Sequence, residues 1–209
     1  TAQAADDDFT KHRVEILAEL TKLRQICCDP ALVYENYRGP AAKLSAIAEL
    51  VDAAYESGEK VLVFSQFTGF LSLIAEQLDA RKIAHYAITG ATPKRRRLQL
   101  VDAFNSDDVP AFLISLKAGG TGLNLTGASV VIHADPWWNM AAQDQATDRT
   151  HRIGQTRTVT VQKVIAKDTI EERILNLQEA KAFLADQVIG ASGTSLAGLT
   201  REDLLELLG

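Results

Sequence analysis

Apolar residues recur at helical spacing in the first part of the chain. Leu17, Leu20 and Leu23 follow one another in steps of three, with charged residues between them, which predicts an amphipathic helix. This helix is predicted to end at the Asp-Pro pair at 29–30, because a residue that precedes proline disfavours the helical conformation. The same spacing predicts a second helix over 41–56. The chain is therefore expected to begin with helices.

The rest of the chain alternates short apolar runs with helical patterns. The runs that predict strands are 61–64, 83–88, 111–115, 129–133 and 158–165. The patterns that predict helices are 69–78, 94–104, 140–151, 168–183 and 200–208. Asp168 and Glu171 are predicted to cap the helix that begins there. Apolar strands that alternate with helices predict an α/β fold, a mainly parallel sheet flanked by helices on both faces, with the leading helices appended.

Composition and charge narrow the class of protein. The chain has 209 residues, 46% of them hydrophobic and 23% charged, which is typical of one globular domain. Its net charge of −5 excludes a uniformly basic protein that coats nucleic acid, although a local basic patch stays possible. No apolar run is long enough to span a membrane, so no membrane partner is expected. Cys27 and Cys28 are adjacent with no nearby histidine, which indicates reduced, structural thiols inside a cell and no metal site.

A glycine-rich segment follows the third predicted strand. Residues 115–125 read Ser-Leu-Lys-Ala-Gly-Gly-Thr-Gly-Leu-Asn-Leu. Glycines let the backbone approach a phosphate closely, and Lys117 adds a positive charge; a plain tight turn is the alternative. The dinucleotide-binding fingerprint fails because Leu125 stands at its third glycine position.

Two tryptophans follow the fourth predicted strand, where loops of a parallel sheet bind ligands. Trp137 and Trp138 would point to opposite sides of an extended backbone, so one is expected to pack while the other is free. An exposed indole at this position could stack on a base or enter a groove. Core packing of both is the alternative.

Two clusters of cations are candidates for phosphate contacts. Arg149 and Arg152 share one face of a predicted helix, where they could clamp a phosphate or pair with Asp144 and Asp148. His151 lies on a different face and is interpreted as structural. The run 94–97, Lys-Arg-Arg-Arg, opens a helix and could meet a phosphate backbone. Its alternatives are a solvated helix face and, for its last arginine, a pairing with an internal carboxylate.

Taken together, these segments resemble the second, C-terminal RecA-like ATPase lobe of Swi/Snf-type DNA-dependent ATPases, within the helicase-like superfamily. The segments that carry the resemblance, in the family's order, are 23–30, 60–67, 115–125, 135–139, 145–155 and 165–174. The most specific combination is Lys-Ala-Gly-Gly-x-Gly-Leu-Asn-Leu with Asp-Arg-x-x-Arg-Ile-Gly-Gln. Two positions depart from the family's pattern: Met140 stands where the family usually has proline, and Asp29 where it usually has histidine.

The resemblance implies roles for individual residues. Arg149 and Arg152 match the family's arginine-finger motif, which faces the γ-phosphate bound on the other lobe, and Gln145 begins that motif. Gly122 and Asn124 match the motif that meets the nucleotide ribose and couples it to the DNA. The positions that match segments along the DNA are Ser65, Gln66, Lys117, Ala118, Gly119 and Trp138.

Parts that such a motor needs are absent from the sequence. There is no Gly-x-x-x-x-Gly-Lys-Ser/Thr loop and no Asp-Glu pair, which would hold the phosphates and Mg²⁺. The resemblance therefore implies that ATP and Mg²⁺ are held mainly by a first lobe of the same polypeptide, and that this chain alone is inactive.

The expected function is that of the second motor lobe of an ATP-driven translocase on double-stranded DNA. Such a protein would be intracellular and DNA-associated, and a DNA-bound protein complex is its expected remodelling target. The alternatives are a stand-alone nucleic-acid-binding module without catalysis and a lobe of a strand-separating helicase. The predicted organisation is a leading helical segment over 1–40, the RecA-like lobe over 41–180 and a helical tail over 181–209.

Overall fold

The computed structural model describes residues 2–119, 123–138 and 158–187, together with Thr200, Asp203 and Leu207. Its helices are α1 (Ala2–Cys28), α2 (Ala42–Glu56), α3 (Thr68–Ala80), α4 (Lys94–Ser106), α5 (Leu116–Gly119) and α6 (Ile170–Gln187). Its strands are β1 (Val61–Ser65), β2 (His85–Ile88), β3 (Ala111–Ser115), β4 (Val130–His133) and β5 (Thr160–Lys163). A 3-10 helix, Pro30–Leu32, follows α1. The predicted helix over 140–151 lies outside the described residues.

The five strands form one parallel sheet in the order β2-β3-β1-β4-β5. β1 lies at the centre, where Phe64 is in register with Ile114 of β3 and His133 of β4. The central strands β1, β3 and β4 are buried along their whole length, as expected for a sheet with helices on both faces. The predicted α/β fold with a mainly parallel sheet is confirmed.

Alternate residues of the central strands enter two different cores. Val61 and Val63 face a cluster formed with α2 and α3, whereas Leu62 and Phe64 face a cluster formed with α4. Full burial of one such side chain contributes about 1.5–3 kcal/mol to folding. Hydrophobic packing therefore stabilises both faces of the sheet, and the packed strands fix the positions at which the loops begin.

The second half of α1 packs into the lobe through one stripe of side chains. Leu20, Arg24 and Cys28 recur in steps of four and are all buried. Leu20 joins Trp138 and the apolar face of α6 in a third cluster, which also contains Ile170, Ile174, Leu177 and Leu207. The domain boundaries predicted after residues 40 and 180 stay predictions, but this part of the leading helix is continuous with the core.

The predicted capping of α6 by Asp168 and Glu171 is wrong. Asp168 has a φ of +59°, in the left-handed region, whereas a capping residue needs an extended backbone. Thr169 takes that role, because its hydroxyl accepts a hydrogen bond from the N–H of Glu171 at 3.2 Å. Glu172 reaches back to accept from the N–H of Asp168 at 2.9 Å.

The predicted last helix is described at three positions. The side chain of Asp203 accepts from the N–H of Thr200 at 2.8 Å, and the hydroxyl of Thr200 accepts from the N–H of Asp203 at 3.2 Å. These reciprocal bonds have the pattern of a capping box, and Asp203 and Leu207 are both helical. No helix in the described part of the chain is long and apolar enough to cross a membrane.

Candidate nucleic-acid interface

Three of the loops predicted to carry function leave the sheet at one edge. Ser65 and Ser115 end β1 and β3 in register with each other, and His133 ends the neighbouring strand β4. The segments that follow these strands contain Gln66, the helix α5 and residues 135–138. Because the carboxyl ends of parallel strands form the ligand-binding edge of such sheets, the fold brings these segments to the expected place.

A buried carboxylate, Asp135, lies at the centre of this edge. It is 0% exposed, and its Oδ1 accepts hydrogen bonds from the Ser65 hydroxyl at 2.5 Å and from the Gln66 N–H at 3.1 Å. Burial raises the pKa of Asp135, while nearby Arg24 and these two donors oppose that rise. A buried carboxylate is costly unless hydrogen-bond donors surround it. Because its donors come from the end of β1, Asp135 connects the end of β1 to the segment after β4.

Arg24 reaches this carboxylate from α1. Its guanidinium is 2% exposed, donates to the carbonyl of Pro136 at 2.6 Å and lies 3.5 Å from Oδ2 of Asp135. The same guanidinium lies over the rings of Phe67 and Trp138, with centroids 5.3 and 5.2 Å away. Burial lowers the pKa of Arg24, and the neighbouring carboxylate of Asp135 opposes that effect.

Gln66 and Ser65, both predicted to lie along DNA, are bound within this network. Gln66 is half-buried; its Nε2 donates to the carbonyl of Pro136 at 2.9 Å, and its Oε1 accepts from Arg24 at 3.4 Å. The Ser65 side chain is buried and donates to Asp135. Both residues are positioned at the edge, and the predicted DNA contacts themselves stay predictions.

Both tryptophans are buried, so the expectation that one indole is free is wrong. Trp137 is 2% exposed and meets Phe64 and His133 edge to face, at centroid distances of 6.2 and 5.3 Å. Trp138 is 8% exposed and packs between α1 and α6. The two rings do diverge, but each of them packs into a different hydrophobic cluster. DNA contact by Trp138 stays a prediction.

The comparisons with known proteins agree with this geometry. Residues 42–154, more than half of the chain, match the helicase conserved C-terminal domain family. The chain is 30% identical to the solved Sulfolobus solfataricus SWI2/SNF2 ATPase C-terminal domain, with a TM-score of 0.73, over 94% of this chain and 82% of that one. The chain belongs to the Swi2/Snf2 ATPase family, as a C-terminal lobe.

Two further comparisons extend this result. The solved Sulfolobus solfataricus SWI2/SNF2 ATPase core in complex with double-stranded DNA is 33% identical, with a TM-score of 0.75, over 94% of this chain and 42% of that one. An uncharacterized ATP-dependent helicase of Mycoplasma genitalium is 39% identical over 201 residues, 94% of this chain and 19% of its own length. The chain spans about a fifth of the length of the curated relatives that it matches.

The glycine-rich motif of this Swi2/Snf2 lobe is described in part. Ala118 is buried in α5, and the structure describes Lys117 and Gly119 as part of this helix but not the Lys117 side chain. Gly122 lies outside the described residues. Asn124 is exposed, and its carbonyl accepts from Nδ2 of Asn105 at 2.8 Å.

The basic run of the lobe opens α4. Lys94, Arg95 and Arg96 are exposed. Arg97 donates to two loop carbonyls, of Thr92 at 2.7 Å and of Gly90 at 3.0 Å, instead of pairing with an internal carboxylate. Three of the four cations therefore stand at the surface, as the solvated-face and phosphate-contact interpretations both require.

The predicted catalytic residues Gln145, Arg149 and Arg152 lie outside the described residues, as does His151. Arg24 and Asp135 were not predicted from the sequence, although both lie in segments that carry the family resemblance. The signal for Arg24 was its position: a cation on the helical stripe of Leu20 and Cys28 must be buried with partners. Asp135 gave a weaker signal, an acid two residues after the end of a buried strand.

Proposed function

We propose that this chain is the second motor lobe of an ATP-driven translocase on double-stranded DNA. The observation that carries the proposal is the common edge of the sheet, where the segments after β1, β3 and β4 meet. Those segments hold Gln66, Lys117 and Trp138, which match DNA-lining segments of the family. The relative solved as a complex with double-stranded DNA supports DNA as the substrate.

In this proposal ATP and Mg²⁺ are held mainly by the first lobe of the same polypeptide. The sequence lacks the phosphate loop and the Asp-Glu pair. Among the described residues, no group of three or more histidine, cysteine or acidic side chains is placed to hold a metal ion. No step of the reaction is assigned to a metal on this lobe.

The contribution of this lobe to hydrolysis is positive charge. Arg149 and Arg152 act as arginine fingers, which stabilise negative charge that develops on the transferred phosphoryl group, and Gln145 contacts phosphate or water. Gly122 and Asn124 couple the nucleotide to the DNA. Closing of the cleft between the lobes then shifts one DNA grip relative to the other. The protein would act inside the cell on DNA, with a DNA-bound protein complex as its target.

A strand-separating helicase is the second candidate, because the Mycoplasma genitalium relative is described as a helicase. Strand displacement by the whole protein distinguishes the two. A translocase moves along the duplex without releasing a labelled strand, whereas a helicase releases it.

The arginine fingers provide the decisive test in the whole protein. Arg149→Ala and Arg152→Ala are each expected to lower turnover by about 10³–10⁵, while ATP and DNA binding persist, because a finger acts on the transition state. Lysine is not expected to rescue fully, because an ammonium cannot reproduce the planar fork of a guanidinium. Arg38→Ala is the control, since Arg38 is exposed and donates to nearby carbonyls. Near-normal turnover of both alanine variants would refute the assignment.

A further inference from the structure

Arg24 lies outside the residues that match the helicase conserved C-terminal domain family, yet it reaches the candidate interface. The match begins at residue 42, and Arg24 belongs to α1. Its side chain crosses to the ends of β1 and β4, where it contacts Gln66 and Pro136. A helix that precedes the matched domain is thus connected to the edge of the sheet that carries the proposed function.

The contacts of Arg24 join two loops that also meet through Asp135 and through the hydrogen bond from Gln66 to Pro136. From the loop after β1, Gln66 accepts from the guanidinium and Phe67 stacks on it. From the loop after β4, Pro136 accepts from the guanidinium, and the Trp138 ring lies against it. A planar cation held by directed bonds and by two rings fixes both distance and orientation.

Stability alone is a weak reason for such an arrangement. A buried ion pair often stabilises a protein no more than apolar side chains of similar volume, because both charges lose their hydration. The arrangement instead fixes the position of the loop after β4, because the carbonyl of Pro136 accepts hydrogen bonds from both Arg24 and Gln66. In the sequence, residues 135–138 come before the segment 145–155, which contains Arg149 and Arg152.

We propose that Arg24 is a positioning residue that holds the loop after β4 in register with the loop after β1, so that DNA contacts and the arginine fingers act together. The functional half of this inference rests on the proposed function. Loss of the positioning is expected to reduce DNA-stimulated turnover more than DNA affinity, because misplacement of groups that act in the transition state affects mainly the rate.

The test compares two arginine-to-lysine variants of the whole protein. Arg24→Lys keeps the charge but removes the planar fork, whereas Arg81→Lys does the same at a partly exposed pair with Asp52, whose atoms are 3.1 Å apart. Amide hydrogen exchange is followed in peptides that cover Gln66 and residues 134–138, because the N–H of Gln66 donates to Asp135. Turnover with and without DNA and the apparent DNA affinity are measured on the same samples.

Arg24→Lys is expected to accelerate exchange in these two peptides and to lower DNA-stimulated kcat by about tenfold or more, with DNA affinity changed by about twofold at most. Arg81→Lys is expected to change neither. Unchanged exchange at Gln66 would overturn the inference, and so would faster exchange with normal DNA-stimulated turnover. If the unmodified protein showed no DNA-stimulated turnover, the proposed function would fail, while the exchange comparison would still test the connection between the loops.

Asp135→Asn is the second variant, and it is used if Arg24→Lys does not fold. It keeps the shape and a carbonyl acceptor for Ser65 and Gln66 but removes the negative charge beside Arg24. The same faster exchange and the same loss of DNA-stimulated kcat are expected. Normal exchange and normal turnover in this variant would overturn the inference.

Discussion

Lys43 of α2 and Glu171 of α6 form an ion pair whose side chains are 4% and 0% exposed. The carboxylate of Glu171 also accepts a hydrogen bond from the N–H of Ala166 at 2.9 Å. Glu171 therefore connects the first turn of α6, and the loop before it, to the helix α2, which packs with α3 against the sheet.

This pair predicts a large effect on stability. Lys43→Met leaves a buried carboxylate without its cation, which typically costs about 3–5 kcal/mol of unfolding free energy. Lys22→Met is the matched control, because Lys22 and Glu19 form an exposed pair at 2.8 Å that is worth about 1 kcal/mol at most. Urea unfolding of each variant measures the difference. Equal losses in the two variants would show that the buried pair has no special importance.

The separate chain is expected to hydrolyse no ATP and to bind it weakly. The phosphate loop and the Asp-Glu pair are absent from its sequence, so the groups that orient the phosphates and the attacking water are missing. A coupled phosphate-release assay with and without DNA measures this, with the whole protein as the positive control. DNA-stimulated turnover by the 209-residue chain would contradict the proposed division between two lobes.

DNA binding is expected to be sequence-independent and salt-sensitive, because the predicted contacts are to phosphates. In the whole protein, Lys117→Ala should lower DNA-stimulated turnover, leave basal turnover nearly intact and reduce the salt slope of binding by about one. Lys22→Ala, which removes an exposed lysine of α1, is the control. An unchanged DNA dependence in Lys117→Ala would assign this lysine a structural role.

His133 predicts a dependence of stability on acidity. Burial, with a smaller contribution from Lys163, lowers the pKa of His133 from 6.5 to about 4. Between these two values the histidine is protonated in the unfolded chain but not in the folded chain. The unfolding free energy therefore decreases as pH falls from about 6.5 towards 4, by about 2 kcal/mol between pH 7 and 5. The raised pKa of Asp135 acts in the opposite direction, because there the folded chain holds the proton more tightly.

A comparison of variants isolates the contribution of His133. His133→Gln should reduce the difference in unfolding free energy between pH 7 and 5 by about 2 kcal/mol. His12→Gln, at an exposed histidine of α1, controls for the change of residue type. If His133→Gln showed the same pH difference as the unchanged chain, titration of this histidine would not contribute to acid sensitivity.

The sequence predicts the centre of the sheet well because its strands are short runs of apolar, β-forming residues. Val61 and Val63 belong to such a run, which is typical of a strand covered on both faces. The cap of α6 was predicted incorrectly, since the left-handed backbone of Asp168 depends on the path of the loop and not on the residue pattern. Sequence spacing alone cannot show which of two adjacent side chains is the cap.

The candidate site was predictable as a set of segments, but not as a network. The resemblance indicates which residues belong to it, including Gln66 and Trp138. It does not show that Trp138 is covered by α1 and α6, because that packing joins residues far apart in sequence. Nor does a net charge show that Arg97 is bound to loop carbonyls. These are tertiary relations, and they decide which side chains are available to a ligand.

The central position of β1 has a consequence for the order in which this lobe assembles. Val61 pairs with Ala111 on one side and Val130 on the other, and both partners come much later in the chain. A nascent or truncated chain that stops before β4 leaves one side of its central strand without backbone partners. Such long-range pairing slows folding, so the sheet is expected to close in a late, cooperative event. A shorter fragment that ends before β4 would present a hydrophobic strand edge open to aggregation.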